Sequence, residues 1–136
     1  MRFLIVEDDF TARQLMQIYL SDFGQAFIAV NGREAVTAFE NALNDGIPYD
    51  LICLDIMMPE MDGQQALKAI RAIEQQRGIG GLDAVKVIMT TAKSESSDIF
   101  TAFRAGCESY IIKPVRKKAL LEEMQKLGLL SLTANK

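Results

Sequence analysis

Apolar residues along this chain follow two periodicities that alternate. Short runs rich in Val, Ile, Leu, Phe or Tyr occupy residues 2–7, 25–30, 50–55, 84–90 and 109–113. Each is strand-length and polar or turn-forming at its ends, which predicts five β-strands. Between them, apolar residues recur at helical spacing. The first helix runs from about Thr11 to Phe23, turns Ala12, Leu15, Met16, Tyr19 and Phe23 inward, and stops at Gly24. The second, from about Gly32 to Leu43, buries Ala35, Val36, Phe39 and Leu43 and yields to the turn Asn44-Asp45-Gly46-Ile47-Pro48. Asp62 is the N-cap of a third helix carrying Ala66, Leu67, Ile70 and Ile73. A fourth follows the polar stretch from Lys93 to Ser97 and ends at Gly106. A fifth follows Pro114 and carries Val115, Leu120, Leu121 and Met124. Five strand–helix alternations imply one α/β domain, a parallel sheet with helices on both faces and right-handed crossovers. That domain spans residues 1–128. Residues 129–136 form a short tail whose leucines are free to pack back.

The strand ends break the apolar pattern. Leu51-Ile52-Cys53-Leu54 runs into Asp55, and Phe3-Leu4-Ile5-Val6 runs into Glu7-Asp8-Asp9. A strand buried on both faces does not tolerate a carboxylate in its middle. At its C-terminal tip, the same group faces the crevice where open α/β sheets bind ligands. All C-terminal ends of a parallel sheet share one edge, so Asp8, Asp9, Asp55, Thr91 and Lys113 are brought together from distant parts of the sequence. Crowded carboxylates repel one another unless a cation joins them. Mg²⁺ suits such a set, with Mn²⁺ the alternative, because it takes one or two carboxylates plus phosphate oxygens and retains waters. A carboxylate beside that ion can attack phosphorus to form an acyl phosphate, whose oxygens a hydroxyl and an ammonium would then bind.

Composition narrows the chemistry. The 136 residues are 49% hydrophobic and 24% charged with a net charge of −3, which gives no electrostatic footprint for nucleic acid. No run approaches a membrane span, and the opening apolar run is too short for a signal peptide, so a cytoplasmic protein is expected. Cys53 and Cys107 read as reduced thiols. Histidine is absent. That excludes histidine nucleophiles and Ser-His triads, and it leaves oxygen ligands for any metal.

Each candidate also has a plain structural counterpart. Asp8 and Asp9 suit an acidic cap on the first helix, and Asp55 suits a turn cap. Thr91 is an ordinary strand residue, and Lys113 an ordinary surface lysine. Their joint occurrence at separate strand ends is what argues for a site.

With Glu7-Asp8-Asp9, Leu54-Asp55, Met58-Pro59, Asp62-Gly63, Thr91-Ala92 and Lys113-Pro114 in this order and spacing, residues 2–127 resemble the receiver domain of bacterial response regulators. The form is closest to the single-domain chemotaxis type. The resemblance implies a doubly wound sheet of flavodoxin-like strand order 2-1-3-4-5. It implies Asp55 as phospho-acceptor, with Mg²⁺ held by Asp9 directly, by Asp8 largely through water, and by the backbone carbonyl of Met57. Thr91 would be the switch hydroxyl, Lys113 the phosphate-binding cation and Tyr110 the aromatic that changes rotamer. The Lys113-Pro114 peptide would be cis. Met57 and Lys93 would flank the path of attacking water, and an apolar Met57 implies a long-lived phosphoryl group.

Implied partners are a sensor histidine kinase or a histidine phosphotransfer protein, and a downstream protein docking on the fourth helix, fifth strand and fifth helix. Ile99 and Phe103 are candidates for that surface, in a monomer or a phosphorylation-promoted dimer. No direct nucleic-acid binding and no membrane are expected, and no turnover enzyme. The alternatives are the N-terminal receiver of a longer regulator with a DNA-binding or enzymatic output part and, remotely, a magnesium-dependent phosphohydrolase of the haloacid dehalogenase type. The latter needs a second Asp where Met57 stands.

Overall fold

Every apolar run forms a strand and every helical period a helix in the computed structural model, which describes residues 1–92 and 96–131. Strands β1 (Arg2–Val6), β2 (Gln25–Ala29), β3 (Leu51–Asp55), β4 (Lys86–Thr91) and β5 (Ser109–Ile112) alternate with helices. These are α1 (Phe10–Leu20), α2 (Gly32–Asn44), α3 (Gly63–Gln76), α4 (Ser96–Ala105) and α5 (Lys117–Lys126). All strand pairs are parallel and the order is β2-β1-β3-β4-β5. The chain therefore winds outward from β1 to β2, then back past β1 to β3. This reversal opens a crevice at the C-terminal ends of β1 and β3.

Strand alternation divides the core in two. Leu4, Val6, Ile52, Leu54, Val87 and Met89 pack on one face with Ala35, Phe39, Leu67, Ile70 and Ala102 of α2, α3 and α4. Phe3, Ile5, Leu51, Cys53, Ile88 and Ile111 pack on the other with Met16, Leu20, Leu120 and Met124 of α1 and α5. Leu129 and Leu130 rest against this second cluster, whereas Leu132 lies outside the described residues. Among the described residues, no helix is long and apolar enough to cross a membrane.

The differences from expectation have local causes. Helix α1 ends at Leu20, where the Ser21 hydroxyl turns back to the carbonyl of Ile18 at 2.8 Å. Leu20 is fully buried in this helix, and Leu15, expected inside, is 43% exposed. Strand β4 begins at Lys86 because the Val85 N–H goes to the Glu74 carboxylate at 2.7 Å and not to the ladder. The Gly78–Gly81 loop leads into a short 3-10 turn, Gly81–Asp83. Asp62 caps α3 as anticipated, in a reciprocal capping box with Gln65.

Candidate functional site

The crevice is built from three strand ends. Glu7 prolongs β1 by one bond, its N–H donating to the Ala29 carbonyl at 3.1 Å. Strand parity places it on the same side as Phe3 and Ile5, facing α1 and α5. Asp55 closes β3 and is 3% exposed. Gly63 brings α3 against this tip: its N–H meets the Ile56 carbonyl at 2.8 Å. A Cβ at Gly63 would stand 2.2 Å from the Asp55 carbonyl oxygen, so only glycine allows the approach. Lys113 follows β5, its N–H on the Thr91 carbonyl at 2.7 Å. The Lys113-Pro114 peptide is cis.

One carboxylate oxygen from each of Glu7, Asp8 and Asp55 lies within 4.8 Å of the other two. The Lys113 ammonium reaches into this group, 2.6 Å from Glu7 Oε1 and 3.1 Å from Asp55 Oδ2. Burial works to lower the affinity of Lys113 for its proton. The hydrogen bond to Glu7 and the charges of Asp55 and Glu7 outweigh it, so the pKa is raised. Backbone donors help from below: Met57 N–H points at Asp55 Oδ1 from 3.3 Å and Asp9 N–H at Glu7 Oε2 from 3.1 Å. Arg13 spends its guanidinium on the Glu7 and Asp8 carbonyls. The cluster thus holds three carboxylates against one ammonium at hydrogen-bond distance. Such a set can accept a further hard cation.

The carboxylate cluster differs from the expected ligand set at one position. Asp9, expected to bind metal directly, does not join the carboxylate group; its Oδ2 accepts the Ala12 N–H at 2.8 Å as the N-cap of α1. Glu7 supplies the third carboxylate instead. Parity along β1 could have found it, since Glu7 continues the series Phe3, Ile5 and the cap belongs to the residue just before the helix.

Thr91 ends β4 and is 1% exposed, beside Thr90, which pairs with Asp55. Met57 is 55% exposed next to the cluster; Lys93 lies outside the described residues. Tyr110 sits in β5 opposite Met89, and Phe103 of α4 meets its ring edge-to-face with centroids 5.7 Å apart. Phe103 is 44% exposed and Ile99 half-buried. Cys53 and Cys107 are free and buried, which pushes their thiols up to about 12 and about 11.

The model of the response regulator receiver domain matches residues 3–125. The chain belongs to this family. Its fold is that of chemotaxis-type receivers, and receiver domains act in two-component signalling rather than as turnover enzymes. Among curated relatives, the receiver is 35% identical to the transcriptional regulatory protein SrrA of Staphylococcus aureus over 130 residues, covering 90% of the chain and 48% of SrrA. It is 32% identical to the sensor protein GacS of Pseudomonas syringae pv. syringae over 125 residues, covering 92% of the chain and 13% of GacS. The chain therefore spans less than half the length of these relatives. Among solved structures, it is similar to a co-crystal of the Saccharomyces cerevisiae phosphotransfer protein Ypd1 with the receiver of its downstream response regulator Ssk1. That match has a TM-score of 0.80 and 30% identity, covering 94% of this chain and 88% of the other.

Proposed function

We propose that this receiver accepts a phosphoryl group on Asp55 from a phosphohistidine and carries the signal on its α4-β5-α5 face. The observation that carries the reading is the buried Asp55 carboxylate, within 4.8 Å of Glu7 and Asp8 and 3.1 Å from the Lys113 ammonium. Glu7, Asp8 and Asp55 fit a hard divalent cation, Mg²⁺ or Mn²⁺, with the Met57 carbonyl as a further ligand. When bound, the ion neutralises charge on the transferring phosphoryl oxygens. A carboxylate oxygen of Asp55 forms the new bond to phosphorus as the bond to the donor imidazole nitrogen breaks, and that nitrogen takes up a proton from solvent as the imidazole leaves. Lys113 then holds one phosphoryl oxygen, and the Thr91 hydroxyl another. The chain has no histidine, so the donor stands on another protein or domain, a sensor kinase or a phosphotransfer protein like the one in the Ssk1 co-crystal. Exposed Phe10, Leu15 and Ile18 on α1 offer that donor an apolar surface beside the acid edge.

Readout passes from Thr91 to Tyr110, whose ring Phe103 already touches. Phe103 and Ile99 then form the docking patch. Because SrrA and GacS are longer than this chain, a regulator with a further output part is the second reading, and the length of the native reading frame decides it. The test is labelling by a small phosphodonor with and without Mg²⁺. Wild type is expected to label only with the ion and Asp55→Asn not at all. Equal labelling of both overturns the assignment.

A further inference from the structure

Next to the acid cluster, an open pocket of about 420 Å³ lies between α1 and the segment after β5, lined by Cys53 and Thr90 of the sheet, Ala12 and Leu15 of α1, and Pro114 and Val115. Ligand pockets begin at roughly 300 Å³. The gap has a cause in sequence. Large side chains such as Phe3, Leu20, Ile88 and Met124 fill the rest of this face, whereas here the small Ala12, Cys53 and Thr90 share the lining with Leu15, Met16 and Tyr19. Thr90, 4% exposed, adds a hydroxyl to this apolar lining. A hydroxyl there can bond to a ligand or to water.

The upper end of the cavity is charged. Glu7, Asp9 and Lys113 line it. Lys113 is already held between Glu7 and Asp55, and the nearby Arg13 is turned to backbone carbonyls. With Asp8 and Asp55 adjoining, acid outweighs base at this end, so an anionic head is repelled and an ammonium attracted.

We propose that this cavity binds a small amine with an apolar, ring-sized body. The ring lies against Ala12, Cys53 and Val115, and the ammonium meets Glu7 and Asp9. The binding itself does not depend on Asp55 being a phospho-acceptor. Its consequence rests on the metal assignment above: an amine on Glu7 competes with Mg²⁺ for that carboxylate and so restrains phosphorylation.

The chain has no Trp, so indole fluorescence reports the ligand alone. The full chain is titrated in EDTA against tryptamine, indole and indole-3-acetate, which share a ring and differ in charge. Tryptamine is expected to bind saturably and at least about tenfold more tightly than indole-3-acetate, a difference of ~1.4 kcal/mol. Adding Mg²⁺ is expected to weaken it, and the cavity-filling Ala12→Leu to abolish it. Thr90→Val, close to threonine in shape, is expected to weaken tryptamine and to serve if Ala12→Leu does not fold. Three results overturn the proposed binding: no saturable binding, equal binding of the amine and the acid, or unchanged binding in a folded cavity variant; no effect of Mg²⁺ overturns the competition with the ion. Failure of phosphodonor labelling would leave this outcome standing, so the two readings fail separately.

Discussion

Two charge clusters sit at opposite edges of the same sheet, and they are built on opposite principles. At the N-terminal edge, Arg71 bonds Glu74 at 2.7 Å, Glu108 at 2.9 Å and the carbonyls of Val85 and Gly106. The acids are occupied as well: Glu74 takes the Val85 N–H and Glu108 the Val87 N–H, both at 2.7 Å. This network ties α3 to the starts of β4 and β5. At the C-terminal edge, Glu7, Asp8 and Asp55 have only Lys113 and two backbone N–H groups, at 3.1 and 3.3 Å, among their described side-chain partners. One cluster is complete and holds structure. The other is short of positive charge and is ready to take up a cation. A fold keeps such a deficit where a ligand can complete it.

The sharpest way to break this comparison is to remove each central cation. Arg71→Met leaves Glu74, 3% exposed, with its guanidinium partner gone. A loss of about 3–5 kcal/mol is expected in urea unfolding, and Mg²⁺ should not restore it. Lys113→Met likewise leaves buried carboxylates, Glu7 and Asp55, without their cation; the Lys113 side chain is 23% exposed against 19% for Arg71. A comparable loss, about 3–5 kcal/mol, is expected in EDTA, and Mg²⁺ should recover most of it. Rescue of the Arg71 variant by the ion, or none for the Lys113 variant, would dissolve the distinction.

Subtler effects test the surroundings of each cluster. Met57 offers no polar group to orient attacking water, so Met57→Asn is expected to speed loss of phosphate from the labelled protein several-fold. An unchanged or slower rate counts against a shielding role. On the output face, the Ser109 hydroxyl donates to Glu123 at 2.6 Å. That bond lowers the Glu123 pKa against the opposing effect of burial, with Lys126 assisting. A lowered carboxylate contributes stability that is present above its unfolded value of 4.5 and lost as pH falls through the folded one. Ser109→Ala should therefore cost ~1 kcal/mol at neutral pH and flatten the decline below pH 4.5. An unaltered acid limb would show that the bond does not matter.

Most of the fold is legible because a doubly wound sheet writes itself plainly. Strands buried on both faces must be continuous apolar runs, and their ends must change character. The strand-end places of Asp55, Thr91 and Lys113 are legible from that change alone. The acids after β1 are harder, since Glu7, Asp8 and Asp9 are chemically alike and composition does not rank them. Strand parity and the need of α1 for an N-cap separate them, and both act over a span of one residue. The Arg71 network is harder still. Arg71 and Glu74 read as a solvated pair one turn apart, and only the crossover that brings Glu108 alongside reveals a partly buried knot. The cavity under α1 escapes the pattern altogether, because Ala12, Cys53 and Thr90 are unremarkable until they converge.

The central claim is that Glu7, Asp8 and Asp55 form a cation site one residue displaced from the expected Asp8–Asp9 pair. It is tested most directly by the Mg²⁺ dependence of the melting temperature in wild type, Glu7→Gln, Asp8→Asn and Asp9→Asn, the last retaining a competent helix cap. Wild type and Asp9→Asn are predicted to gain stability with Mg²⁺, while Glu7→Gln and Asp8→Asn lose most of that gain. A response lost in Asp9→Asn and kept in Glu7→Gln, or absent from wild type, would contradict it.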